Sequence, residues 1–184
     1  MVSRQSITPP APNLCQAEAA MPASTEDLAQ RLEQLGIKTT TLPHKPLFTV
    51  EESRTHRGKI PGGHCKSLFL KDKKGELWLV VALEDAGIDL KTLPRLIGSG
   101  RLSFASADLL IKVLGVTPGS VTPFALINDT GQQVKVILDR AMMAHHLLNY
   151  HPLVNTATTT IASADLVTFI RDCGHDPRIV AISA

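Results

Sequence analysis

Residues Leu77-Trp78-Leu79-Val80-Val81-Ala82-Leu83 form an unbroken apolar run. A strand with one wet face alternates apolar and polar residues, so continuous apolarity predicts a central strand buried on both faces. The run follows a second β-rich segment, 67–72, across the turn Lys73-Lys74-Gly75. Together they predict a hairpin. Any fold for this chain must build a core around that strand.

The flanking segments supply the rest of the sheet and its cover. Ser24-Thr25-Glu26-Asp27 opens a helix, Leu28, Leu32 and Leu35 recur at helical spacing, and Gly36 ends it. Residues 37–42 predict a strand. Thr49 and Glu52 fit a capping box at the start of a short helix, 49–57. Ile60-Pro61-Gly62-Gly63 predicts a loop with unusual backbone angles. A helix at 89–97 is weakened by Pro94. A strand follows at 101–105, then a helix at 107–114 between Ser106 and Gly115. Residues 124–127 and 134–138 predict a second hairpin around Asn128-Asp129-Thr130-Gly131. A short helix at 139–145, a strand at 154–161, a capped helix at 163–173 and a strand at 179–182 complete the chain. Hairpin-joined strands mixed with helices predict an α+β domain with a mixed, largely antiparallel sheet and flanking helices.

Composition sets limits on this reading. The 184 residues suffice for one domain, 25–184, after a tail, 1–24, rich in Pro, Ala, Ser and Gln. Met21 is an alternative start. Aromatics are 4% of the chain, so aliphatic side chains must fill the core. No apolar run approaches the roughly 20 residues that span a bilayer, which argues against a membrane partner. Cys15, Cys65 and Cys173 are widely spaced and odd in number, which fits a reducing, cytoplasmic compartment.

Net charge is only +2, but its distribution is uneven. Arg54, Arg57, Lys59, Lys66, Lys71, Lys73 and Lys74 crowd one stretch against a single acid, Asp72. His56 and His64 lie there too. Such a stretch attracts phosphate, although a solvated loop-and-hairpin face carries the same pattern.

Three segments could carry chemistry. Gly62-Gly63-His64-Cys65-Lys66 leads into a strand, and a lysine there can reach a phosphate or polarise a carbonyl. In Gly119-Ser120-Val121-Thr122-Pro123, glycine lets backbone approach a ligand and proline fixes the loop exit. Inward N–H groups there could hold a developing oxyanion. His151 precedes Pro152 and is held extended, ready to act as acid, base or positioning donor. Each segment taken alone is more commonly structural. A cysteine hydrolase lacks a signature around Cys65 or Cys173. A zinc site from His64, Cys65, His145, His146 or Cys173 lacks metal-binding spacing, and no cofactor fingerprint is present.

The order and context of these segments resemble the YbaK/ProX family of aminoacyl-tRNA deacylases, related to the editing domain of bacterial prolyl-tRNA synthetases. The matching text is Leu47-Phe48-Thr49-Val50-Glu51-Glu52-Ser53, then Gly62-Gly63-His64-Cys65-Lys66-Ser67-Leu68-Phe69-Leu70-Lys71-Asp72. It continues through Arg101-Leu102-Ser103-Phe104-Ala105, Gly115 to Pro123, and His151 to Thr159. The resemblance implies an editing-domain fold and hydrolysis of the ester in mischarged tRNA(Pro), Ala-tRNA(Pro) foremost. It implies Lys66 and His151 as catalytic residues. Gly119, Ser120, Val121, Thr122, Pro123, Asn155 and Thr156 would bind the substrate. Ser67, Lys71, Arg54, Arg57 and Arg101 would contact tRNA, and prolyl-tRNA synthetase is a further partner. No metal or cofactor is expected. Ser67 departs from the Asn common at that place. Two alternatives stay open: a Cys-tRNA(Pro) or broader small-amino-acid deacylase, and a noncatalytic tRNA- or synthetase-binding module. No helix-turn-helix with a basic recognition helix supports DNA binding.

Overall fold

The computed structural model describes residues 21–45 and 60–183. The expected 49–57 helix, with Arg54 and Arg57, lies outside the described residues, as does most of the expected tail with Cys15. Helix α1, Thr25–Gln34, starts at a reciprocal cap: Ser24 Oγ accepts from the Asp27 N–H while the Asp27 carboxylate accepts from the Ser24 N–H. Strand β1 is Thr39–Pro43, an exposed edge strand. Strands β2, Gly63–Asp72, and β3, Leu77–Leu83, form the expected hairpin.

The remaining elements follow in order. They are α2 (Leu93–Ile97), β4 (Leu102–Phe104), α3 (Ala107–Leu114), a 3-10 helix (Pro123–Asn128) and β5 (Val134–Asp139). Next come α4 (Arg140–Met143), β6 (Leu147–Tyr150), β7 (Ala157–Ala162), α5 (Ser163–Asp172) and β8 (Arg178–Val180). The eight-stranded sheet runs β1-β7-β6-β2-β3-β5-β8, with β4 paired to β2. The architecture is α+β with a mixed sheet. β1–β7, β2–β3, β2–β4 and β6–β7 are antiparallel; β2–β6, β3–β5 and β5–β8 are parallel.

Strand β3 is central, as its sequence requires. Leu77, Leu79 and Val81 enter a core with α1, α3, the 3-10 helix and α5. Trp78 and Val80 enter a second, smaller core under α2 with Leu93, Ile97 and Leu102. Alternate residues of one strand thus serve two cores, and each buried Leu or Val contributes about 1.5–3 kcal/mol.

Three local readings change. Residues 124–127 are not a strand, and 134–138 does not pair with them. Thr122 caps Phe124, and Pro123 at the first turn cannot donate to a ladder. Phe124 packs edge-on against Tyr150 and Phe169, at centroid distances of 5.9 and 5.5 Å. Strand β6, absent from the sequence reading, occupies residues placed between a helix and a loop. Helix α5 starts at Ser163 with Ala162 as its N-cap and has no side-chain cap bond.

The β2–β3 turn is pinned by Asp72, a buried carboxylate. Its Oδ1 accepts from the Lys74 and Glu76 N–H groups at 2.8 and 3.0 Å, and its Oδ2 from the Gly100 N–H at 3.0 Å. Burial raises the pKa of this carboxyl, but the backbone donors and Lys74 outweigh it and hold the value below 3.8. A depressed folded pKa gives stability that is present above the unfolded value and lost as pH falls through the folded one. Asp72→Asn is therefore expected to destabilise the domain near neutrality. The stability gap between wild type and variant should shrink as pH falls below 3.8. Urea titrations at several acid pH values check this; a gap constant with pH contradicts it.

Candidate active site

Two glycines let β2 begin against β6. Gly62 has φ +101°, and a Cβ there would stand 2.6 Å from the Leu147 carbonyl oxygen. A Cβ on Gly63 would meet Leu83 Cδ2 at 2.8 Å and His145 Cγ at 3.3 Å. The expected loop of unusual angles is therefore a close backbone approach. It sets Gly63 opposite Leu148 and His64 opposite Asn149 in parallel register.

Alternation then sorts the side chains of β2. Cys65 and Phe69 face the larger core, while Leu68 and Leu70 face the smaller one. Lys66 shares the face of His64 and Leu68. Beyond the smaller core that face turns polar. Asn149 is buried; its Nδ2 donates to the Pro61 carbonyl at 3.0 Å, and its Oδ1 accepts from Thr160 Oγ1 at 2.6 Å. Lys66 Nζ donates to the Ala86 carbonyl at 2.6 Å. His64 Nε2 is shielded from solvent and has no hydrogen-bond partner among the described residues. A buried polar atom left this way costs about 1–3 kcal/mol, and a water or ligand group that bonded it would remove that cost.

The polar face continues to His151. Thr158 lies two residues before Thr160 on β7 and contacts His44 Nε2 at 3.0 Å. His44 and His151 rings are 6.2 Å apart, tilted at 57°. His151 Nδ1 lies 3.0 Å from the Ala157 carbonyl. A carbonyl only accepts, so Nδ1 carries the proton, and in neutral His151 Nε2 is left as an acceptor. Leu153, at φ +68°, closes the turn after His151 with its N–H on the His151 carbonyl at 3.0 Å. That left-handed leucine costs about 1–3 kcal/mol, which the surrounding turn must offset.

The 119–123 loop lies on another side of β2. The His64 carbonyl bonds to Glu84 next to β3, whereas the Phe69 carbonyl accepts from the Ala105 N–H beyond β4. Odd-numbered residues of β2 therefore turn their backbone groups away from β3. That outer edge pairs with β6 at 63–64 and with β4 at 70–72, leaving Ser67 in the gap. A cavity of about 190 Å³ fills the gap, lined by Ser67, Leu68, Phe104, Gly119 and Val121 among others. Ser120 and Thr122 are buried, and Pro123 starts the 3-10 helix. Arg101 and Lys71 are exposed at the β4 end of this edge.

The structure thus puts Lys66 on the polar face of β2 and the Ser67 backbone at its open edge, with the two side chains on opposite faces of the sheet. Thr156 accepts from the His44 N–H at 2.8 Å through its carbonyl and lines a separate cleft of about 390 Å³ beneath α1. Asn155 is half-buried in the same turn. Sequence reasoning missed Asn149, Thr160 and His44. The alternation Leu148-Asn149-Tyr150 was the available signal, since it puts a polar residue on the face opposite two core residues.

Neither described cysteine suits nucleophilic attack. Burial pushes the Cys65 thiol up to about 11 and the Cys173 thiol up to about 12, leaving almost no thiolate at neutral pH. Among the described residues, no three His, Cys, Asp or Glu side chains cluster to hold a metal. No helix among them is long and apolar enough to cross a membrane.

Comparisons with known proteins show what the chain is similar to. The chain is 42% identical over 158 residues to "Prolyl-tRNA synthetase associated domain-containing protein 1" of Bos taurus, covering 83% of this chain and 92% of that one. It is 39% identical over 153 residues to "Prolyl-tRNA editing protein ProX" of Acetoanaerobium sticklandii, covering 83% and 93%. Among solved structures, one described as a candidate trans-editing enzyme for prolyl tRNA synthetase superposes with a TM-score of 0.64. It is 21% identical, and the match covers 86% of this chain and 97% of that one, a likeness of fold. The family described as "Aminoacyl-tRNA editing domain" matches residues 44–169, a span that holds Lys66, the 119–123 loop, Asn149 and His151. The chain belongs to the aminoacyl-tRNA editing domain family.

Proposed function

We propose that this chain is a deacylase that hydrolyses the ester of mischarged tRNA(Pro), with Ala-tRNA(Pro) as its main substrate. The observation that carries the reading is the polar face shared by Lys66, His64 and Asn149, on the same strand as the edge cavity that the 119–123 loop borders. The reading is supported by the names of two relatives, one for a prolyl-tRNA synthetase associated domain and one for prolyl-tRNA editing.

The ester is a reactive bond, so orientation of water and stabilisation of the oxyanion suffice. Lys66 places a positive charge where the ester carbonyl or the terminal phosphate lies. The Ala86 carbonyl holds its amine in position until substrate arrives. His151 Nε2, left as acceptor by the Nδ1 bond to Ala157, takes a hydrogen bond from the attacking water. Water adds to the carbonyl, the tetrahedral intermediate collapses, and the ribose hydroxyl leaves with a proton. Backbone groups of Gly119 to Pro123 hold the substrate, and Ser67, Lys71 and Arg101 meet the tRNA end. Asn155 and Thr156 shape the turn beside His151. A rigid wall that admits alanine and excludes proline spares the correct product.

Lys66→Ala is expected to lower single-turnover deacylation of Ala-tRNA(Pro) by on the order of 10²–10³-fold, with the melting temperature little changed. A near-wild-type rate contradicts the reading. Parallel assays on Ser- and Cys-tRNA(Pro) decide the breadth of the substrate range. Binding of aminoacylated tRNA without turnover marks a binding module instead.

Burial pushes the Cys65 thiol up to about 11, which disfavours a covalent role for it. Cys65→Ala is expected to keep the single-turnover rate within about threefold, less than the 10²-fold scale of losing a catalytic group. Loss of activity in a folded Cys65→Ala protein argues for an acyl-thioester route.

A further inference from the structure

Phe104 ends β4 with 64% of its surface exposed. Single exposed apolar residues are ordinary on protein surfaces, so exposure alone assigns nothing. Its surroundings do. Phe104 pairs with Leu70 and lies two residues after buried Leu102 on the same face of β4, which puts its ring on the Lys66 and Leu68 face of the sheet. It also lines the cavity of about 190 Å³ at the open edge of β2, together with Ser67, Ala105 and Gly119. Ala105 and Gly119 are small, and a Cβ on Gly119 would meet nothing within 4 Å. The cavity beside the ring is thus lined in part by small residues. Lys71 and Arg101, both exposed, flank the same strand pair and supply cations for a phosphate backbone.

We propose that Phe104 is the stacking platform for an unpaired base at the 3′ end of the tRNA, holding the terminal nucleotides while Lys66 meets the ester. The inference rests on the deacylase reading and adds a recognition surface to it. Unpaired RNA bases splay onto aromatic rings, and such stacking contributes about 1–3 kcal/mol per base. Phe104 is exposed at the rim of the cavity that Gly119 also lines, so a flat base can reach the ring from solvent. Leu68, half-buried on the same face, lies between the ring and Lys66, about two residues or roughly 7 Å along the strand from the lysine. Base and ester are then held by one strand and its neighbour.

The test uses three variants of the full chain. Phe104→Ala and Phe104→Leu are expected to raise KM for Ala-tRNA(Pro) about tenfold while kcat stays within about twofold, whereas Phe104→Trp restores KM. The chain has one Trp, Trp78, which is buried, so Phe104→Trp adds an exposed reporter. Millimolar cytidylyl-cytidylyl-adenosine should quench its emission, and an abasic trinucleotide of the same charge should not. KM unchanged in Phe104→Ala, rescue by Leu as well as Trp, or equal quenching by the abasic strand each overturns the stacking role. If the wild-type chain hydrolyses no aminoacyl-tRNA, the deacylase reading falls, and the emission titration still reports on the stacking surface by itself.

Discussion

Strand β2 shares its hydrogen bonds among three partners, and the rest of the molecule is arranged around that division. One edge pairs with β3 from Cys65 to Lys71. The other edge is split between β6 at its start and β4 at its end. The division has two consequences. It lets one sheet carry an apolar half under α2 and a polar half around Asn149. It also leaves Ser67 on an unpaired stretch of edge. An unpaired edge inside a sheet is a liability unless something occupies it, and here the 119–123 loop borders the opening. The close approach at Gly62 and Gly63 makes the arrangement possible, because a Cβ at either position would collide with β6 or β3.

The parts legible in the sequence were those whose cause is local. The apolar run 77–83 declared its own burial on both faces, and Ser24 and Ser106 declared helix starts through caps the structure contains. The parts that were not legible depend on distant partners. Phe124-Ala125-Leu126-Ile127 has strand-like composition, yet Pro123 and the packing of Phe124 between Tyr150 and Phe169 make it a 3-10 helix. Strand β6 has four residues and pairs with β2 and β7, neither of them adjacent to it through a tight turn. Without β6, Asn149 had no face, and the network that joins it to Thr160 and Pro61 was invisible.

The candidate site was legible as a set of residues and not as an arrangement. Lys66 and the 119–123 loop both reach β2, but from different directions: the lysine stands on the sheet face and the loop runs along the sheet edge. His151 belongs to the face, reached through Thr158 and His44. An ester held between face and edge would present its carbonyl to the lysine and its ribose to the edge.

The central claim is that substrate occupies this face and edge of β2, and not the larger cleft of about 390 Å³ beneath α1. The most direct measurement is an amide and side-chain NMR titration with a nonhydrolysable alanyl-adenosine amide. The account predicts shifts concentrated at His64, Lys66, Ser67, Asn149, His151 and Gly119. Shifts confined to Thr25, Ala29, Thr41 and Val154, which line the cleft under α1, would contradict it.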